Sequence, residues 1–426
     1  MERFTRWKGP DLSDIPSYCA HEHWGSLSPF GGDACGFRPD TYRGALPLGD
    51  ISALDILLDP YLSSNLPGSG MNHSNDPELI RSQFPELKRR HGLSGTWLTT
   101  VRGLMELYGF TKDDASEILS SELDGKVRSN YSAPFNWYER AMEQMKISHV
   151  VRAVHPLYYY RDHSRESAQA ESQLIRTNLR IDPLLAFWKS NAPGKEALVE
   201  LTGILPEDAP SWQLFLERLF DRAVQQGCVG IKQFQAYSRP LDFPLVGDEA
   251  LNIGRNPDAA DERSIKDYEN WIVNACCREA DRRGWTHQFH TGTHNLPDSN
   301  PLPLRRLAKR YPSMKIVMLH VWPFVDEAAF LAKTEQNIYI DACWQAVLNP
   351  RFLKKSLETW INYVPSNKIM LSHDATSVEM AAGSLLYTKE ILSEVLGICG
   401  EGRDGTFLYE LAKDYLYNNA LRLYEV

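Results

Sequence analysis

Cysteine is scarce in this sequence, and concentrated positive charge is missing from it. The seven cysteines, at positions 19, 35, 228, 276, 277, 343 and 399, are odd in number, scattered and without a C-x-x-C pair. They exclude a dense disulfide framework and fit a reducing compartment. Lysine and arginine total 46 against 55 acidic residues, a net charge of −9, and nowhere do they form a dense run. An electrostatic footprint for nucleic acid is therefore not expected. The opening MERFTRWKGPDLSDIP has no apolar core of the signal-peptide kind, and no apolar run approaches the length of a membrane span. Solenoid repeats and low-complexity tracts are absent as well. The expectation is a soluble cytoplasmic protein with neither nucleic acid nor membrane as a partner.

What is present is enough apolar material, 43% of 426 residues, for one large domain with an insertion or for two smaller domains. From about residue 146 onward a short apolar run, a polar loop, an amphipathic helix and a Gly or Pro stop recur. Trp212, Phe215, Leu216, Leu219, Phe220 and Ala223 share one helical face, with Ser211 as the expected N-cap and Gly227 as the stop. Ile265, Tyr268, Ile272, Ala275 and Cys276 mark a second helix, ended by Gly284. SYCAHEH, ISHVVRAV, LRIDPLL, CVGIKQF, WTHQFH, KIVMLH, NIYIDA and KIMLSHD read as eight strands. Such alternation implies parallel strands with crossover helices, and eight is the count that closes a (β/α)8 TIM barrel. The expected fold class is α/β, a single barrel domain over residues 1–426.

One stretch breaks the rhythm. Residues 24–136 far exceed an ordinary βα connection. Within them GTWLTTVRGLMELYGF and DDASEILSSELDG have helical character. The loop leaves the barrel face that carries catalytic groups in such folds, so the stretch reads as an inserted helical lid, with a separate domain for an unrelated partner as the alternative. The closing FLYELAKDYLYNNALRLYEV is amphipathic and is expected to pack on the outside of the barrel.

Side chains two apart on a strand project to the same face, so His21 and His23 can grip one ion while Glu22 points away. Alone, the pair is a weak signal among 12 histidines. It gains weight because other predicted strands deliver Lys232, His290, His320 and Asp374 at their C-terminal ends, where barrel enzymes place their chemistry. Imidazole and carboxylate suit borderline divalent metals such as zinc. By the same alternation His287 faces the helices, and His373 is turned away from Asp374 unless the strand tip twists. A lysine facing metal ligands is repelled as a cation, so Lys232 is displaced, neutral, modified by carbon dioxide into an anionic bridge, or paired with a substrate carboxylate. Arg152, Arg180 and Arg239 are candidates for holding such a carboxylate, and His294 for reaching substrate from its loop. Trp24, Trp322, Trp344 and the tyrosines at 158–160 are candidate pocket walls.

HEH on the first strand, GIKQFQAY on the fourth, FHTGTH on the fifth, LHVWPF on the sixth and SHDA on the eighth resemble motifs of the amidohydrolase superfamily. LHVWPFVDEAAFLAKTEQNIYIDACW and NNALRLY are similar to its amidohydrolase-related branch (amidohydrolase 2), which also holds non-oxidative decarboxylases. The resemblance implies that His21, His23 and Asp374 bind the more buried metal. A carboxylated Lys232 would bridge to a second ion held by His290 and His320. With Lys232 unmodified, His290 joins a single site and His320 polarises the substrate carbonyl. Uronate isomerases are similar too, with a large helical insertion after the first strand, but that family lacks the fourth-strand lysine.

The expected function is a metal-dependent hydrolase. Metal-activated water attacks an amide, ester or lactone carbonyl with Asp374 as general base and then acid, and His320 and Lys232 assist. The alternatives are a metal-dependent decarboxylase of a small carboxylic acid, a sugar acid isomerase of the uronate type, and a catalytically silent barrel. One or two divalent ions are expected, zinc before manganese. The partner is a small-molecule substrate, and assembly into a homo-oligomer is expected from other barrels of this type.

Overall fold

The computed structural model describes residues 9–24, 51–63, 77–160, 164 and 166–425. Eight strands pair in sequence order, all parallel: β1 (Ser17–Glu22), β2 (Ile147–Val154), β3 (Ile175–Arg180), β4 (Cys228–Gln233), β5 (Thr286–Thr291), β6 (Lys315–His320), β7 (Ile338–Asp341) and β8 (Ile369–Met370). Asp374 N donates to His21 O at 3.0 Å and His23 N to Ala375 O at 3.1 Å, which brings the chain after β8 back to β1 and makes the sheet a TIM barrel. Among the described residues no helix is long and apolar enough to cross a membrane.

Local chemistry sets the element boundaries. The third strand ends at Arg180, earlier than LRIDPLL suggests, because Pro183 has no N–H for a sheet ladder and opens a one-turn helix, Asp182–Leu185. The N-cap of the Ala209–Gln225 helix is Asp208. Ser211 is its third residue, and the two close a reciprocal capping box, so the expected Ser211 cap is displaced by three positions. Gly284, at φ 63°, ends the Glu262–Arg283 helix as expected, in the left-handed conformation that glycine adopts without a Cβ clash.

Inside the barrel Tyr18, Ala20, Val151, Val317, Leu319, Cys343 and Met370 pack together with Ala420, Leu423 and Tyr424. The closing helix, Asn419–Tyr424, therefore plugs the barrel base instead of lying on its outside. The open end of a barrel offers its apolar residues more complete burial than the outer surface does.

Between β1 and β2 run the helices Ala53–Ser63, Pro77–His91, Gly95–Tyr108, Ala115–Ile118, Ser121–Tyr131 and Pro134–Met145. The last continues past residue 136 almost to β2, and Ser120 caps a new helix within DDASEILSSELDG. Gly95–Tyr108 crosses the Val378–Cys399 helix that follows β8. A Cβ on Gly103 would stand 1.6 Å from Glu379 O and one on Gly383 1.8 Å from Thr99 O, so the two backbones are in contact. Glu379, fully buried, accepts from Tyr108 Oη at 2.8 Å, Tyr131 Oη at 2.8 Å and Trp137 Nε1 at 3.2 Å, fastening three inserted helices to that one. Residues 25–50, the part of the expected lid that leaves β1 directly, lie outside the described residues.

Candidate active site

A bulge in β1 aims the histidine pair. Pairing with β2 slips between Cys19 and Glu22, and Ala20 and His21 both turn into the barrel. Glu22 faces outward, where its carboxylate accepts from Cys19 Sγ at 2.8 Å and Ala375 N at 2.6 Å. His23 then returns inward.

Asp374 is the centre of the cluster. Its Oδ1 lies 2.8 Å from His23 Nε2 and 3.4 Å from His21 Nε2, and its Oδ2 lies 3.3 Å from His320 Nδ1. Burial opposes ionisation of Asp374, but His21, His23 and His320 outweigh it and hold the carboxyl well below its ordinary range. Burial, joined by the charge of Lys232, keeps His21 well below the usual histidine value, and burial holds His320 down to about 4. The site thus favours an ionised Asp374 carboxylate beside His21 and His320, both held toward their neutral forms.

His320 does not reach the cluster by alternation. Val317 and Leu319 already face inward, and the next side chain joins them because His320 and Val321 adopt φ 64° and φ 56°. Asp374 (φ 55°) and Trp344 (φ 65°) are left-handed as well, a conformation that costs non-glycine residues free energy and gathers here around one site.

Lys232 Nζ stands 3.3 Å from His21 Nε2, and burial lowers its pKa. His290 packs against His320 with ring centroids 4.5 Å apart, and its Nε2 lies 3.3 Å from Thr293 Oγ1. His294 stacks on Trp344 at 5.1 Å and, with Tyr237 at 5.0 Å, forms an aromatic wall beside His290.

The remaining candidates make contacts of their own within the fold. Arg152 is fully buried in an ion pair with Glu171. Arg239 donates to Asn270 Oδ1 at 2.7 Å, Asp242 O at 2.8 Å and Glu269 Oε2 at 3.0 Å, tying its loop to the Glu262–Arg283 helix. Both guanidinium groups are thus engaged within the fold. Arg180 pairs with Lys232 in the strand register and lies over the Phe234 ring at 4.6 Å, with its Nε 3.8 Å from Asp182 Oδ2. Trp24 packs on Tyr138 and Trp322 on Phe352, so of the three tryptophans only Trp344 stacks against the site histidines. His287 points outward to Cys277, and His373 to Ser384 Oγ at 3.1 Å.

Sequence reasoning did not single out Tyr237, Cys343 or Gln288. Tyr237, in a single 3-10 turn after β4, and Cys343, in the turn after β7, lie where no periodicity speaks. Gln288 was within reach, since it lies two residues before His290 on the same strand face.

Two sets of donor atoms among the described residues are close enough to hold an ion: His21, His23 and Asp374, and His320, Cys343 and Asp374, each with all its atoms within 4.8 Å of one another. The first set fits a divalent metal: two imidazole nitrogens and a carboxylate, the usual ligand types for zinc, converge. Asp374 belongs to both sets through its two oxygens.

No curated protein matches the sequence. Over nearly their full lengths, solved structures share the fold. A protein from Lactobacillus casei provisionally described as a metal-dependent hydrolase matches at TM-score 0.66 and 15% identity, covering 98% of each chain. Uronate isomerase from Thermotoga maritima matches at TM-score 0.71 and 15% identity, covering 97% of this chain and 95% of its own. Glucuronate isomerase from Caulobacter crescentus does so at TM-score 0.71 and 15% identity, covering 97% and 92%. A family profile described as amidohydrolase matches residues 213–426, half of the chain, and takes in Lys232, His290, His320 and Asp374. With that match over half of the chain, from β4 through β8, the chain belongs to the amidohydrolase family.

Proposed function

We propose that this protein is a metal-dependent hydrolase that cleaves an amide, ester or lactone. The observation that carries the reading is the two-sided placement of Asp374, with one oxygen on the His21 and His23 pair and the other 3.3 Å from His320. A bound divalent ion, zinc by the nitrogen-rich donor set, supplies a water that ionises near neutral pH and polarises the carbonyl. His21, His23 and Asp374 would hold it.

Asp374, ionised and touching the ligand pair, accepts the proton of the attacking water and returns it to the leaving group. His320 Nδ1 faces two acceptors, Cys343 O at 3.2 Å and Asp374 Oδ2, so its proton resides there and Nε2 keeps its lone pair. That tautomer suits a metal ligand better than a hydrogen-bond donor to a carbonyl, and with Lys232 beside His21 it favours a second ion. Tyr237, His294 and Trp344 would press on the flat face of the substrate.

The likeness to uronate isomerases over 97% of the chain favours a second reading, sugar acid isomerisation. A panel of lactones, esters, amides, aromatic acids and uronates, incubated with zinc- or manganese-loaded protein, separates the possibilities. Release of a new carboxylate is the expected result. Conversion of an aldehyde sugar acid to its keto isomer, with no hydrolysis anywhere in the panel, sinks the hydrolase reading, and carbon dioxide release points to decarboxylation.

A further inference from the structure

A chain of hydrogen bonds runs from the site through the barrel interior to its plugged base. His21 Nδ1 lies 3.1 Å from Gln288 Oε1, and Gln288 Nε2 lies 2.7 Å from Ala20 O and 2.8 Å from Tyr424 Oη. All three side chains are buried, with at most 2% of their surface exposed. A carbonyl only accepts, so Ala20 O fixes the amide with its NH2 group toward Ala20 and Tyr424 and its oxygen toward His21. An amide oxygen also only accepts, so the His21 proton sits on Nδ1. The lone pair is therefore on Nε2, which faces Asp374 and Lys232. Tyr424 is itself anchored: the neighbouring Glu425 carboxylate accepts from Tyr18 Oη at 3.1 Å and pairs with Arg176 Nε at 3.5 Å.

We propose that Gln288 and Tyr424 are positioning residues that set the tautomer and ring orientation of His21 as a metal ligand, so that the helix plugging the barrel base tunes metal affinity from beneath the site. The proposal rests on the reading of His21, His23 and Asp374 as metal ligands. Partners of this kind beyond the direct ligands fix the ring and raise its basicity, and losing one typically weakens metal affinity about 10- to 100-fold. Gln288→Leu removes both the acceptor for His21 and the donor to Tyr424. Tyr424→Phe leaves Gln288 bonded to Ala20 O and removes only the outer partner, so a smaller loss follows, up to about tenfold for one hydrogen bond.

The test titrates zinc and cobalt(II) into the apoprotein against a competing chelator, well below the melting temperature, and records the visible cobalt spectrum. The expected result is weaker binding in the order Gln288→Leu, then Tyr424→Phe, then parent, with a shifted cobalt spectrum in Gln288→Leu. A purely structural role would lower the melting temperature and leave spectrum and affinity alone. Affinities of both variants within twofold of the parent, with an unchanged spectrum, overturn the relay while His23→Ala still loses the ion. If His23→Ala binds as tightly as the parent, the site reading fails and takes the relay with it.

Discussion

Replacing Glu379 with leucine removes the acceptor on which three inserted helices converge. Tyr108, Tyr131 and Trp137 would each lose the buried carboxylate to which they donate. An unsatisfied buried donor costs about 1–3 kcal/mol, and the three share one site, so their losses do not add fully. Relief of the buried carboxylate offsets part of the loss, because burial raises the Glu379 pKa against the pull of its donors. The net destabilisation works out at about 3–5 kcal/mol. Urea unfolding followed by circular dichroism measures it, and limited proteolysis locates the loosening between residues 77 and 145. Glu379→Gln retains an acceptor oxygen and gives Tyr131 a donor, so it should stay within about 1 kcal/mol of the parent. The pH dependence provides a second check. A carboxyl with a raised folded-state pKa holds its proton longer in the folded protein, so its contribution is greatest below the unfolded pKa and falls as pH rises through the folded one. The parent should lose stability over that interval relative to Glu379→Gln. A Glu379→Leu loss below about 1 kcal/mol, or identical pH profiles for parent and glutamine variant, refutes the reasoning.

Three further outcomes are expected. Asp374→Asn should retain the circular dichroism spectrum while turnover of any substrate found in the panel disappears, and retained turnover removes Asp374 from its role. Gly383→Ala drives a methyl group to 1.8 Å from Thr99 O, a backbone atom that cannot swing aside, so a loss of at least about 2 kcal/mol is expected in urea unfolding. Free zinc at about 100 times its dissociation constant should stabilise the protein by about 2.7 kcal/mol in thermal melts, and His23→Ala should show no such gain.

The barrel was legible because its strands alternate with helices in a regular count, and ISHVVRAV and KIVMLH match β2 and β6 residue for residue. The candidate ligands were legible as strand-end residues, but how they reach one another was not. Alternation accounts for His21 with His23 only after a bulge, which depends on pairing with β2 and leaves no mark in the local sequence. His320 turns inward through left-handed backbone that no periodicity announces. The partners of Arg152 and Arg239 were not legible, because Glu171, Glu269 and Asn270 are distant in sequence or lie across an element boundary. The C-terminal helix looked like a surface element because amphipathicity tells that one face is buried but not against what.

Metal content per chain, measured on protein purified without chelator at ordinary and raised bicarbonate, tests the central claim most directly. One retained ion is expected, lost in His23→Ala, with a rise toward two at raised bicarbonate that is absent in Lys232→Met. Protein that holds no ion after incubation with zinc or manganese contradicts that claim.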